Sequence, residues 1–151
     1  MSETNNFYFP CPVEQHYCSQ CGGKLSRLIP PGDNRERDCC TQCGAVHYRN
    51  PLIVTGTVTV HDGKVLLCRR AIEPRYNTWT LPAGFMELKE TTAQGAIRET
   101  VEEAGVQPQL GQLYTVMDAV RASQVHIYYL ATADSDAVDP GEESLEAAYL
   151  P

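Results

Sequence analysis

Long hydrophobic runs are missing from this chain. Among its 151 residues the unbroken apolar stretches are only a few residues long, as at Val65–Cys68, so no bilayer-spanning segment is expected. A basic and then apolar leader is also missing from the start, MSETNNFYFPCP, which makes a reducing cytoplasm the expected compartment. Positive charge is in deficit: 12 Lys and Arg stand against 19 Asp and Glu, a net of −7. That balance disfavours nucleic acid or anionic lipid as a partner and suits a protein that gathers divalent cations. Disorder is disfavoured too, because 42% of residues are hydrophobic and only 21% are charged. The seven cysteines are odd in number and follow no secretory signal, so a disulfide framework is not expected. Clustered thiols in a reducing compartment more often bind metal.

The chain divides near Asn50, giving expected domains at 1–50 and 51–151. Six of the seven cysteines precede that point, along with turn-rich sequence such as Pro30-Pro-Gly-Asp33. So short a segment cannot bury enough apolar surface to fold without a staple. The staple is Cys18-x2-Cys21, then an 18-residue interval, then Cys40-x2-Cys43, the spacing of a four-cysteine zinc site. Gly22 and Gly44 follow the two pairs and permit tight turns around a metal. Strands are expected at Lys24–Ile29 and Arg35–Cys39, and the whole resembles a zinc ribbon. Four thiolates fill a tetrahedral shell, so this Zn²⁺ is expected to be structural. Basic residues of the ribbon (Lys24, Arg27, Arg35, Arg37, Arg49) are diluted by acids, and no RNA-type aromatic platform accompanies them. Cys11, Cys39 and Cys68 are left over; Cys68, inside an apolar strand, reads as a small buried hydrophobe.

After Asn50 the pattern turns to β. Leu52–His61 is rich in Val and Thr, Asp62-Gly63 signals a hairpin turn, and Lys64–Arg70 is the return strand. A helix is expected over Thr91–Ala104, with Gly105 as its C-terminal cap. Further strands are expected at Leu113–Met117 and Val125–Thr132. On the helix, Glu99, Glu102 and Glu103 share one sector with Gly95, while Ala93, Ile97, Val101 and Ala104 form the expected core stripe. Carboxylates at i, i+3 and i+4 repel one another, and a Mg²⁺ or Mn²⁺ ion would convert that repulsion into coordination. A solvated acidic face is the plain alternative for three glutamates taken alone.

Their surroundings weigh against that alternative. Gly84, five residues, Glu90, seven residues, then Arg98-Glu-Thr-Val-Glu-Glu-Ala-Gly-Val106 resembles the Nudix box throughout. Seven identities match (Gly84, Glu90, Arg98, Glu99, Glu102, Glu103, Gly105); at about 7% per residue type, chance would supply this on the order of once in a million chains. Thr100 departs mildly, standing where the pattern prefers an aliphatic residue. The resemblance implies an α+β Nudix hydrolase, an α/β/α sandwich around a mixed sheet, preceded by the ribbon. It implies Glu99 and Glu103 as principal metal ligands with Glu102 as a further one. It also implies Glu90 and Arg98 as a structural pair orienting the helix, and Gly84 as close backbone beside the metal. The implied reaction is attack of metal-activated water on one phosphorus of a nucleoside diphosphate linked to X, giving NMP and phosphorylated X.

A ribbon directly before the box resembles two groups. The NADH pyrophosphatases carry an SQPWPFPxS segment that is absent from the stretch after Gly105. The plastid-type FAD pyrophosphatases and their bacterial relatives are similar over Tyr17 to about Leu150, through CSQCGG, CTQCG, YRNP, GKVLLCRR, WTLPAGFMELKETTAQGAIRETVEEAG and PGEESLE. FAD or ADP-ribose is therefore favoured as substrate, with NADH next, and relatives of this layout imply a homodimer. Family members usually continue past Glu-Ser-x-Glu into another strand and helix, so the 51–151 domain reads as open to C-terminal truncation. Outside the box, Arg69 and Arg70 read as phosphate holders or as a solvated strand end. Trp79 reads as a stacking surface for a base or as core. Glu143 and Glu146 read as a general base or further metal ligand, or as a solvated acidic loop. His126 reads as structural, and of Tyr128 and Tyr129 only one can reach a pocket. Discrimination among substrates is expected in Trp79, the Arg75–Asn77 loop and the segment around Arg121. A non-catalytic sensor of ADP-ribose-like ligands, a nucleoside triphosphate pyrophosphohydrolase and a ribbon-centred RNA-processing protein are the alternatives. The complete carboxylate set speaks against the sensor and the net charge against the RNA protein.

Overall fold

The computed structural model describes residues 14–151. Cys11 and the segment read above for a leader lie outside the described residues. Two compact units meet at Asn50 and Pro51.

The first unit is a three-stranded antiparallel sheet in the order β1 (Leu25–Leu28), β2 (Arg37–Cys40), β3 (Val46–His47). The first two strands are shorter than the expected Lys24–Ile29 and Arg35–Cys39. Asp33 is the reason. Its carboxylate accepts the N–H groups of Asn34 (2.7 Å) and Arg35 (3.3 Å) and the Nε–H of Arg37 (2.9 Å). Such side-chain-to-backbone bonds hold the chain in a turn and postpone pairing until Arg37. The two-residue β3 was not expected and exists only through its pairing with β2.

The second unit is a seven-stranded mixed sheet with one α-helix among the described residues. Its path runs β10 (Ser144–Leu150), β5 (Lys64–Arg70), β4 (Leu52–His61), β9 (Gln124–Thr132), β8 (Gln109–Ala119); β6 (Trp79–Thr80) pairs with β5 and β7 (Ala83–Phe85) with β4. Only β4 and β9 run parallel. The β4–β5 hairpin turns through Asp62 (φ 47°) and Gly63 (φ 74°), both left-handed as a two-residue loop of this hand requires. Helix α1 (Thr92–Ala104) starts at Thr91, whose hydroxyl accepts the Gln94 N–H while the Gln94 side chain accepts the Thr91 N–H. Such a capping box contributes about 1 kcal/mol. Gly105 (φ 67°) ends the helix.

The expected core stripe of α1 needs correction. Val101 is exposed and Ala93 and Ile97 are only half-buried, whereas Gly95, Ala96, Thr100, Glu103 and Ala104 are buried. The carboxylate-bearing face, not its opposite, is the one packed toward β4. Gly95 makes this approach possible, since a Cβ there would lie 2.6 Å from Thr55 Oγ1. The buried contact is largely a ladder of hydroxyls. Thr100 Oγ1 donates to the Ala96 carbonyl (2.8 Å) and meets Thr57 Oγ1 (2.8 Å), which meets Thr59 Oγ1 (2.8 Å). Thr100 thus stands where an aliphatic residue was expected because its neighbours on β4 are threonines. The apolar core lies further along, where Leu66 and Cys68 of β5 and Ala147 of β10 pack on Ala104 and Val106. No helix among the described residues is long and apolar enough to cross a membrane.

Candidate active site and metal sites

In the ribbon, the four sulfur atoms of Cys18, Cys21, Cys40 and Cys43 all lie within 4.8 Å of one another. Cys18 and Cys43 are 3.7 Å apart, and Cys21 and Cys40 are 3.5 Å apart. A tetrahedron with Zn–S bonds of ~2.3 Å has edges of ~3.8 Å, so the quartet has the size of a zinc site and not of a disulfide pair. N–H groups of Gln20, Gly23 and Cys43 point at three of the sulfurs (3.4, 3.4 and 3.5 Å). His47 Nε2 approaches Cys18 Sγ at 3.2 Å. Burial opposes ionisation of the Cys18 thiol, but the Gln20 N–H and the His47 ring outweigh it and hold the group at about 6. Cys39 is buried beyond this group, its Sγ 3.8 Å from the Leu28 carbonyl.

In the second unit the site grows from α1. Glu99 and Glu103, one turn apart, face the start of β7. Glu103 is 8% exposed, and its Oε2 accepts the Ala83 N–H at 3.1 Å. Burial pushes the Glu103 carboxyl up to about 7; the charges of Glu99 and Glu143 push the same way, and the Ala83 N–H and Arg70 oppose them. Burial also raises Glu99, helped by the charges of Glu102 and Glu143 and resisted by Arg98. Gly84, paired with Thr55 of β4, passes so close that a Cβ on it would collide with the Glu99 carboxylate.

Arg98 organises the acidic face. It donates to Glu90 (3.0 and 2.8 Å), Glu99 (2.6 Å), Glu102 (2.9 Å) and the Phe85 carbonyl (3.0 Å). These bonds, with the Glu87 N–H at 2.6 Å, hold Glu90 down at about 2. Arg98 takes one oxygen each from Glu99 and Glu102, leaving a second carboxylate oxygen on each to face a cation. Glu102 is the outermost of the three, its side chain 57% exposed. A hard divalent cation suits this set: the donors are all oxygens, Glu103 is buried yet accepts only the Ala83 N–H, and Gly84 leaves the room a side chain would fill. Among the described residues only the cysteine quartet is gathered within 4.8 Å.

The structure separates the remaining candidates. Arg70 lies on the Glu103 side of β5, where its charge reaches Glu103, and its Nε donates to the Pro74 carbonyl at 2.9 Å. Arg69 points elsewhere: it pairs with Glu146 (3.0 Å), donates to Asn77 (2.8 Å) and lies 6.0 Å over the Trp79 ring. Glu146 is therefore engaged by Arg69, while the charge of Glu143 reaches Glu99 and Glu103. Trp79 is 39% exposed. His126 is half-buried and meets Gln124 at 2.9 Å. Tyr129 reaches Thr92 of α1 (2.6 Å), and Tyr128 is buried against Gly56. Arg121 sits exposed in the short 3-10 turn Val120–Ala122. Cys68 is buried, and burial together with the Glu103 charge pushes its thiol up to about 12. The Ala83 N–H donor and the Asn77 contact had no sequence signature, because both depend on chain reversals after Arg70.

Comparison with known proteins follows the same division. Residues 16–49 match the zinc ribbon described as Nudix N-terminal, and residues 50–151 match the NUDIX domain. The chain belongs to the Nudix hydrolase family. Its first unit corresponds to the zinc ribbon that the family carries at the N-terminus. It is similar to a NUDIX hydrolase from Nitrosomonas europaea, with TM-score 0.84 and 45% identity over 88% of this chain and 76% of that one. It is 29% identical to the NAD-capped RNA hydrolase NudC of Photobacterium profundum, over 89% of this chain and 48% of the relative. It is 26% identical to an ADP-ribose pyrophosphatase of Methanocaldococcus jannaschii, over 68% of this chain and 63% of the relative. The chain spans less than two-thirds of the length of these two curated relatives.

A pH prediction follows from Glu103. Its raised pKa means that the folded chain holds a proton between pH ~4.5 and ~7 that the unfolded chain releases, so this group's contribution to stability falls as pH rises through that window. Without added Mg²⁺ or Mn²⁺, the melting temperature of the native chain minus that of Glu103→Gln should decrease between pH 5.5 and 8. A constant difference would show that Glu103 carries no burial penalty.

Proposed function

We propose that this Nudix hydrolase cleaves the pyrophosphate of a nucleoside diphosphate bearing a bulky X group, ADP-ribose or FAD ahead of NADH, to NMP and phosphorylated X. The observation that carries the reading is the Glu99–Glu103 pair held against the backbone at Ala83 and Gly84. Bound divalent cations supply neutralisation of the pyrophosphate and a lower pKa for the attacking water. The protein's part is positioning. Glu99 and Glu103, with Glu102 outside them, hold the metal; Ala83 N–H and Arg98 fix the directions of their carboxylates. Glu143 takes the proton of the attacking water, a role for which it is better placed than Glu146, which Arg69 engages. Zn²⁺ in the ribbon would be held by Cys18, Cys21, Cys40 and Cys43, which would leave no ligand position for water and make its role structural. Two curated relatives named for ADP-ribose and for an NAD cap support an ADP-linked substrate, and the net charge of −7 favours a small nucleotide over RNA.

X is recognised away from the carboxylates, because the metals grip the same pyrophosphate whatever X is. The exposed Trp79 ring and the 71–78 loop beside it are the proposed surface for that half of the substrate. A panel of ADP-ribose, FAD, NADH, a nucleoside triphosphate and an NAD-capped RNA, each with Mg²⁺ or Mn²⁺, tests this. We expect kcat/KM for ADP-ribose or FAD to exceed that for the triphosphate by at least ~10-fold, since a triphosphate offers no X to bind. Preference for the triphosphate with release of pyrophosphate, or for the capped RNA, would overturn the substrate assignment. Binding of ADP-ribose without turnover would favour a sensor.

A further inference from the structure

We propose that Gly141 is a positioning residue for the hydrolysis: with no side chain, it lets the 139–143 loop clamp the C-terminal end of α1 and so sets where Glu143 stands relative to Glu99 and Glu103. The inference rests on the carboxylate reading above and adds a device that no box motif contains. The last carbonyls of a helix lack partners within the helix and need donors from elsewhere. Here the loop supplies them. The Asp139 N–H donates to the Ala104 carbonyl at 2.7 Å and the Gly141 N–H to the Glu103 carbonyl at 3.3 Å. Both carbonyls belong to the turn of α1 that carries the buried acid.

The fit leaves no room for a methyl group. A Cβ on Gly141 would collide with the Glu102 carbonyl oxygen, and one on Gly105 would meet Asp139 at 2.6 Å. Gly105 also needs its left-handed φ of 67°, whereas Gly141 has no positive φ, so space alone demands glycine there. From this clamp the chain turns at once, the Ser144 N–H closing on the Gly141 carbonyl at 3.0 Å, with Glu142 and Glu143 at the tip. On its far side the Glu143 carbonyl accepts the Ala71 N–H at 2.8 Å. The backbone of Glu143 is therefore pinned to α1 through Gly141 and to the end of β5 through Ala71. Its side chain is exposed at the tip of this turn, so the backbone bonds at Gly141 and Ala71 set where it stands. Glu142 is its exposed neighbour on the same turn. A methyl group at position 141 must lift the loop off the helix, and a displacement of ~1 Å in a reacting group can cost ~10²-fold in rate.

The experiment compares the native chain, Gly141→Ala, Glu143→Gln, the double variant, Glu142→Gln and Glu103→Gln in ADP-ribose hydrolysis with Mn²⁺, with thermal melts to verify folding. Gly141→Ala should lower kcat by ~10-fold or more with KM within ~3-fold, and Glu142→Gln should leave both unchanged. The double variant should be no slower than Glu143→Gln, because Gly141 acts through Glu143. Native kcat in Gly141→Ala, or a double variant slowed by the product of the two single effects, would overturn the inference. An unimpaired Glu103→Gln would instead overturn the carboxylate reading beneath it. A second measurement needs no variant. Substoichiometric Mn²⁺ should broaden the Glu143 backbone amide resonance along with those of Gly84 and Glu99. A Glu143 resonance that stays sharp while those two vanish would contradict the placement, even if Gly141→Ala fails to fold.

Discussion

Glu103→Gln is expected to lower turnover by ~10²-fold or more while the fold persists. The substitution keeps side-chain size and removes one charge from a residue that α1, β7 and Arg70 surround. Its Oε2 already accepts the Ala83 N–H, and an amide oxygen can keep that bond, so the loss falls on metal binding and not on packing. Removing the buried charge also relieves the desolvation that pushes this carboxyl up to about 7, so the variant should be at least as stable as the native chain at pH 8. Glu99→Gln should behave similarly in rate. Glu90→Gln should be milder, because Glu90 touches Arg98 and the Glu87 N–H and acts on the site only through them. Steady-state kinetics at saturating Mn²⁺ decide the matter. Near-native turnover in Glu103→Gln would remove the acidic face of α1 from the active site.

The second large effect is expected in the ribbon. Its sheet has two four-residue strands and one two-residue strand, and its buried residues are chiefly Asp38 and the cysteines Cys18, Cys39 and Cys40. So little apolar burial cannot offset chain entropy. Zinc binding, about 10–16 kcal/mol in comparable small domains, is then in effect the folding free energy of the unit. One zinc per chain is expected by metal analysis, and chelation or Cys21→Ser should abolish protection of residues 14–50 from protease. Protein free of zinc and iron with that segment still protected would contradict this.

How much of this was legible in the sequence differs from element to element. The β4–β5 hairpin was, residue for residue, because Asp62-Gly63 accepts two left-handed positions and Val/Thr alternation flanks it. The cap at Gly105 was legible for the same conformational reason. The buried face of α1 was misread, since a hydrophobicity pattern assigns threonine and glutamate to solvent. Here Thr57, Thr59 and Thr100 satisfy one another, and Glu103 is buried for its chemistry. Strand β7 is three residues long and exists by pairing with β4, while β10 follows a run of acids that reads as loop. The contact of Gly141 with the end of α1 joins positions nearly forty residues apart and leaves no local pattern. Strand alternation puts Arg69 and Arg70 on opposite faces but does not say which face meets the acids; pairing with Glu146 and Asn77 on one side, and the charge of Glu103 on the other, tells their roles apart.

Hydrolysis of ADP-ribose in ¹⁸O-labelled water with Mn²⁺, followed by mass analysis of the products, tests metal-dependent attack of water on a pyrophosphate phosphorus. The expected products are AMP and ribose 5-phosphate, with the label on one product phosphate, both glycosidic and ester bonds intact, and no reaction once Mn²⁺ is withheld. Label on a sugar carbon, free adenine or adenosine among the products, or turnover that needs no divalent cation would contradict it.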